Sequence, residues 1–323
     1  MRSVFIGNVE IKAAAALAPM AGVADRAFRE ICKEFGAAYL IGEMASSKGL
    51  TMGSKKTGEL LSVTDGERPM AIQLFGSDPE TMAKAAYSSL EYKPDILDIN
   101  MGCPAPKVAG NGGGSSLMLS PELAGEIVKA VCAVVDIPVT VKMRTGWDDE
   151  HINAVELAKI CEQNGAAAIT VHGRTRAQMY SPPVDRSIIA DVKRAVSVPV
   201  IANGDIISPE TALSMFSDTG CDLIMVGRGA LGRPWLFSQI NAAIDSLPVP
   251  ADPPLDKRMA IMHRHIVLLC QYKGDHIGML EARKHVAWYL KGMPGAAKLR
   301  GLAGTLSCMD DLDRLIDTVL SSR

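Results

Sequence analysis

The sequence has no run of about 18 uncharged apolar residues, so nothing in it reads as a membrane-spanning helix. It has no Cys-x-x-Cys pair. Its seven cysteines, at 32, 103, 132, 161, 221, 270 and 308, are scattered and odd in number. That pattern excludes a disulfide framework and a zinc site of the usual spacing, so no metal is expected, and it points to a reducing cytoplasm. Residues 1–12 alternate like a strand pair and lack an apolar stretch with a cleavage site, so no signal peptide is expected. Net charge is nearly absent, −2 overall, and charge alone announces no nucleic-acid partner. A hydrophobic fraction of 48% and a charged fraction of 22% exclude wholesale disorder. The 323 residues are enough to bury a large core without cross-links.

The charge is unevenly spread. Residues 251–323 hold 11 Lys and Arg against 8 Asp and Glu, whereas residues 1–250 hold 23 against 28. Histidines 263, 265, 276 and 285 also lie in this tail.

Eight short apolar runs punctuate the first part, at 14–18, 38–41, 71–75, 96–100, 139–143, 168–172, 198–202 and 223–226. They are nearly continuous in hydrophobicity, as parallel strands covered on both faces should be. Helical patterns lie between them, at 24–35, 79–92, 121–135, 152–164, 187–196 and 209–218. Ser77-Asp-Pro-Glu80, Ser120-Pro-Glu122 and Ser208-Pro-Glu210 read as helix starts, with Ser as the cap, Pro in the first turn and Glu at the positive end. Gly36, Gly165 and Gly220 follow helices, where a left-handed residue is wanted. The repeat predicts an α/β fold, a (β/α)8 TIM barrel, with a doubly wound sheet as the competing architecture. Gly7-Asn8 between two short apolar segments predicts a β-hairpin, read as a plug under the barrel. Pro248-Val-Pro-Ala-Asp-Pro-Pro254 reads as a stiff linker. Beyond it, apolar residues recur at helical spacing. The expected organisation is therefore a barrel over 1–247, a linker over 248–254 and an all-helical domain over 255–323.

A barrel of this kind carries its site at the C-terminal ends of its strands. The polar residues of the runs gather there. Gln73, Asn100, Lys142 and His172 come from the third to sixth runs and line one cup. Asn203-Gly204-Asp205 and Gly227-Arg228-Gly229 end the last two runs, where this fold usually binds phosphate on backbone N–H groups. The same glycines also serve as plain turn residues. Gly227 to Gly232 matches G-x-G-x-x-G, but no strand with an acidic residue follows, so the dinucleotide fingerprint fails. A planar, polar-edged ligand with a phosphate tail suits this cup, and FMN has that description. Lys142 also admits a Schiff-base aldolase, and His172 also reads as a satisfied core histidine. Cys103, on a Gly-Cys-Pro turn at the mouth, is the candidate acid or nucleophile, whereas the other six cysteines read as inert. The run Gly110-Asn-Gly-Gly-Gly-Ser-Ser116 reads as a mobile lid, or as a plain loop.

Ala18-Pro-Met-Ala-Gly22, Asp98-Ile-Asn-Met-Gly-Cys-Pro104, Val141-Lys-Met-Arg-Thr-Gly-Trp147, Val171-His-Gly-Arg-Thr-Arg176, Ile201-Ala-Asn-Gly-Asp205 and Met225-Val-Gly-Arg228 together resemble the tRNA-dihydrouridine synthases, most nearly the bacterial B-type branch. Ala282-Arg-Lys-His-Val-Ala-Trp-Tyr289 is similar to that family's helical tail. Residues 109–114 are more glycine-rich than the family leads one to expect. The resemblance implies FMN held by Pro19, Met20, Ala21, Gln73, Lys142, His172, Asn203, Gly204, Asp205, Gly227 and Arg228, with NADPH as its reductant. It implies hydride transfer from the flavin to C6 of a uracil in tRNA, and Cys103 as the acid that protonates C5. A thiol is largely protonated at pH 7, so it has a proton to give. Asn100 would bond the uracil edge, and Arg174, Arg176, Arg283 and Lys284 would meet the RNA. The chain is expected to work as a cytoplasmic monomer. A flavin barrel for free pyrimidines, of the dihydroorotate dehydrogenase kind, and a non-catalytic RNA- or phosphate-binding barrel are the rival readings.

Overall fold

The apolar runs become parallel strands because side chains on both faces of each run are covered. The computed structural model describes residues 3–321. A hairpin comes first, β1 (Val4–Ile6) antiparallel to β2 (Val9–Ile11). Eight strands follow: β3 (Ala15–Leu17), β4 (Leu40–Ser46), β5 (Met70–Phe75), β6 (Ile96–Met101), β7 (Val139–Arg144), β8 (Ala168–His172), β9 (Val200–Asn203) and β10 (Leu223–Val226). They close in chain order, β10 pairing with β3, into an all-parallel barrel with helices between the strands. The doubly wound alternative is thereby excluded, since its sheet stays open.

The hairpin buries Val4, Ile6 and Ile11 against Tyr39, Ile96, Ala168 and Leu223, which lie at the N-terminal ends of the strands. It closes the bottom of the barrel. Gly7 makes its turn at φ +57, and a side chain there would run into Pro138.

Several boundaries differ from the sequence reading. The second run continues through Glu43 to Ser46, with a register shift between Ile41 and Met44. Two short helices, Ser47–Thr51 and Lys55–Glu59, and the last barrel helix, Leu236–Ile244, were not among the expected helices. Of the three expected serine caps, only Ser208 caps its helix, accepting from Thr211 N. Asp78 replaces Ser77, because a carboxylate one residue nearer reaches Thr81 N at 2.8 Å. Ser120 ends a preceding 3-10 turn, and its side chain makes no cap bond. Gly36, Gly165 and Gly220 all adopt positive φ, as helix ends require.

The segment 248–254 is fastened to the barrel. Asp252 accepts from Trp235 Nε1 at 3.0 Å and from Gln239 Nε2 at 2.9 Å. Four helices follow: Leu255–Lys273, Asp275–Tyr289, Ala296–Ala303 and Met309–Ser321. The expected tail ends at 323, and its last two residues lie outside the described residues. These helices build a second apolar core around Met262, Ile266, Leu269, Val286 and Leu312. Ala27 and Trp235 of the barrel side share that core, so the two parts are packed together. Tail cations add polar ties: Arg264 pairs with Glu34, and Lys273 lies 3.6 Å from Asp25.

Candidate active site at the mouth of the barrel

The parallel register sets Gln73 level with Asp98, Asn100 level with Lys142, and His172 level with Asn203. Five adjacent strands, β5 to β9, thus bring the predicted polar residues to one end of the barrel. Gln73 is fully buried, and it donates from Nε2 to Asp98 Oδ2 at 2.7 Å. Its Oε1 accepts from Asn100 Nδ2 at 2.9 Å. Asn100 Oδ1 in turn accepts the backbone N–H of Gly102 at 3.1 Å and of Cys103 at 2.8 Å.

The Cys103 turn is held from two further sides. Its carbonyl accepts from Ser115 N at 3.1 Å, and Arg144 Nε donates to Gly102 O at 2.8 Å. Arg144 also donates to Thr175 O at 2.8 Å and Met179 O at 3.1 Å, tying the loops after β6 and β8 together. Cys103 itself is a free, half-buried thiol.

Lys142 donates to Asn203 Oδ1 at 3.1 Å, and Asn203 Nδ2 donates to Met225 O at 2.8 Å. Burial, together with the Arg144 charge, lowers the Lys142 pKa to about 8. Burial lowers the Arg144 pKa to about 10. Burial and then the surrounding cations Lys142, Arg144, Arg174 and Arg228 push His172 far below its ordinary range, so it is neutral at pH 7. Its Nε2 lies 3.3 Å from Arg174 Nη1, which can only donate, so that nitrogen is the acceptor.

After β9, Gly204 turns at φ +123, and a side chain there would strike Val184. After β10, Gly227 stands open, with Ala18 Cβ and Met20 Sδ its nearest neighbours at 3.7 and 3.8 Å from a built Cβ. Among the described residues, the backbone N–H groups of Gly204, Asp205, Gly227 and Arg228 donate to no protein acceptor. Adjacent donors without partners suit an anion. Arg228 lies beside them, 52% exposed, stacked over Tyr180 at 4.5 Å and 3.6 Å from Asp205.

Some expected roles need correction. Arg174 is buried, donating to Asp205 Oδ2 at 2.6 Å and Pro182 O at 2.6 Å, so it fixes the Asp205 turn and does not reach out to RNA phosphate. In the Asp205 carboxylate, Oδ2 accepts from Arg174 and from Val184 N, and Oδ1 lies 3.6 Å from Arg228. Asn100 has both Oδ1 lone pairs and one N–H engaged, which leaves one N–H for a ligand. Arg283 donates to Leu306 O at 2.9 Å, inside the tail. Arg176 stacks over Trp147 at 4.5 Å. Lys284 pairs with Glu281 at 3.5 Å and reaches to within 3.9 Å of a Cβ built on Gly22, in the loop that carries Pro19, Met20 and Ala21. The glycine run follows a short helix, Pro106–Ala109, turns over 110–112, and enters a 3-10 turn, Gly114–Leu119, with its last residues. Ser116 Oγ to Ala109 O and Ser77 Oγ to Asn111 O hold it down.

The sequence reading gave no role to Asp98, Thr140, Glu43 or Tyr180. A carboxylate inside the apolar run 96–100 was a legible signal for Asp98. Glu43 is buried and accepts from Gly22 N, linking β4 to the loop after β3. No local pattern marked it.

A closed parallel barrel with its polar and ionisable side chains gathered at the C-terminal mouth defines the class: a TIM-barrel enzyme. The sequence profile of the family "Dihydrouridine synthase (Dus)" matches residues 16–322. The chain is 42% identical over 311 residues to the "tRNA-dihydrouridine synthase B" of Pseudomonas aeruginosa, covering 96% of this chain and 93% of that protein. It is 44% identical over 296 residues to the protein of the same name from Vibrio vulnificus, covering 91% and 92%. Against the "Probable tRNA-dihydrouridine synthase" of Rickettsia conorii it is 41% identical over 303 residues, covering 94% and 92%. An old yellow enzyme homologue from Zymomonas mobilis shares the fold, with a TM-score of 0.54 and 14% identity over 78% of this chain and 94% of that one. The chain belongs to the dihydrouridine synthase family.

Proposed function

We propose that the protein reduces the C5=C6 bond of a uridine in tRNA to 5,6-dihydrouridine, with FMN as resident cofactor and NADPH as reductant. The observation that carries this reading is Cys103, held at the mouth by Asn100, Ser115 and Arg144 beside the Gln73–Lys142 cup. The residues fit a flavin. Gln73 keeps one free N–H and one free lone pair, a donor–acceptor pair for an amide or imide edge. Lys142 keeps donors beyond its bond to Asn203, and neutral His172 adds no further charge to the cup. The open N–H groups of Gly204, Asp205, Gly227 and Arg228 suit the phosphate, with the Arg228 guanidinium beside them.

When bound, the flavin supplies the hydride that C6 of the uracil receives. Cys103 gives its proton to C5, completing the reduction. Asn100 offers its remaining N–H to the base, and Arg144 fixes the turn from which the thiol acts. A stacked uracil is out of reach of this cup, so the base must leave its stack. Arg176, Lys107 and Lys284 remain to meet phosphate at the mouth. This reading treats 255–323 as an RNA-binding helical domain joined through 248–254 to a catalytic barrel over 1–247, and the protein as a cytoplasmic monomer.

The test incubates purified protein, FMN and NADPH with unmodified tRNA, free uridine or orotate. Dihydrouridine is expected in tRNA alone, with about one FMN per chain. Turnover of the free pyrimidine alone would replace this reading with the small-substrate one, and protein that takes up no FMN would leave a binding barrel.

A further inference from the structure

Asp98 sits at the root of a hydrogen-bond chain that ends at the catalytic turn. It is completely buried on β6. Its Oδ2 accepts from Gln73 Nε2 at 2.7 Å, and its Oδ1 accepts from Thr140 Oγ1 at 2.5 Å. From Gln73 the chain runs through Asn100 to the N–H groups of Gly102 and Cys103. Both ends are obligate. An ionised carboxylate can only accept, and a backbone N–H can only donate. The two amides between them therefore have one self-consistent orientation. Reversing either amide sets donor against donor or acceptor against acceptor.

We infer that Asp98 is a positioning residue, which acts through Gln73 and Asn100 to set the amide direction that holds the Cys103 turn. The inference rests on the proposed function for the reaction affected, but the geometry concerns only this chain's own residues. Asp98 touches neither the turn nor the mouth. A carboxamide at this position could present either face to Gln73, because the Thr140 hydroxyl donates or accepts equally well. The chain would then lose one of its two fixed ends.

The groups facing the carboxylate are Gln73 from β5, Thr140 and Lys142 from β7, and the buried Tyr39 hydroxyl just before β4. Burial pushes the Asp98 carboxyl up to about 6, against the hydrogen bonds from Gln73 and Thr140 and the Lys142 charge. Above that pH the root is ionised and the direction is fixed. Below it a proton on Asp98 turns an acceptor into a donor, and the direction is released.

The test uses Asp98→Asn, which keeps the shape of the side chain, beside wild-type holoenzyme. Single-turnover dihydrouridine formation in tRNA is expected to fall about tenfold near pH 8, while flavin reduction by NADPH changes less than about threefold. The wild type should lose uridine reduction as pH falls through about 6, and the variant should lack that acid limb. As a readout free of flavin and RNA, alkylation of Cys103, followed by peptide mass spectrometry in the cofactor-free protein, should quicken at least about threefold. A variant that keeps the wild-type rate, acid limb and alkylation rate overturns the inference. So does a parallel loss of both half-reactions with unchanged alkylation, which would make Asp98 a cofactor-site residue only. Failure of the wild type to form dihydrouridine overturns the proposed function, and the alkylation arm still decides the Cys103 geometry.

Discussion

Cys103 illustrates how much a single side chain owes to the groups that hold its backbone. Its N–H, its carbonyl and the carbonyl before it are each hydrogen-bonded, so the turn stands before any ligand arrives. Removing the thiol leaves those backbone bonds intact. Cys103→Ala should therefore keep FMN and its reduction by NADPH within about twofold, but lower uridine reduction at least about a hundredfold, as expected for loss of a general acid. Stopped-flow flavin absorbance separates the two half-reactions, and a wild-type rate of flavin reoxidation by tRNA would remove Cys103 from the acid's role. At this scale the sequence was a good guide to residue type and a poor one to facing. Arg174 and Arg176 look alike in His-Gly-Arg-Thr-Arg, yet one is buried on Asp205 and the other stacks on Trp147. Which arginine turns inward depends on the positive-φ turn at Asp205, 31 positions downstream of Arg174, and no local pattern encodes that.

At the scale of elements, strand ends carry the site and strand interiors carry the core. Runs of Val, Ile, Leu and Ala announced the strands because a parallel strand is covered on both faces. The last barrel helix, Leu236–Ile244, was missed: it follows the Gly-Arg-Gly turn closely and has neither a capping side chain nor an acidic residue in its first turn. In the glycine run 110–116, glycine also serves close packing. Gly114 turns at φ +57 against the Cys103 carbonyl and Val108, so its lack of a side chain permits contact with the catalytic turn. In the proposed function, the turns after β9 and β10 together offer their N–H groups to one anion. Arg228→Glu would set a second carboxylate next to Asp205 at the rim of that cradle. Its affinity for FMN should fall at least about thirtyfold, from lost attraction and added repulsion together. Equilibrium flavin binding checks this, and full retention of FMN would move the phosphate elsewhere.

For the whole molecule, the barrel and its plug followed from periodicity, and the helical tail from apolar spacing beyond the proline-rich segment. The tail's surplus of positive charge was visible in composition, but its partners were not. Arg264 and Lys273 face barrel carboxylates, and Arg283 faces a tail carbonyl. His265 is buried against Phe28, and burial followed by the His285 charge lowers its pKa to about 3, so it adds nothing to a cationic face at neutral pH. Lys257, Lys291, Lys298 and Arg300 of the tail are exposed, and Lys284 reaches from the tail towards Gly22. Reduction of uridine in tRNA by this assembly is tested by the dihydrouridine content, position by position, of tRNA from a strain lacking the gene. At least one dihydrouridine should disappear, the wild-type gene should restore it, and Cys103→Ala should not. An unchanged dihydrouridine map in the deletion strain, in the absence of a second gene of the family, would contradict it.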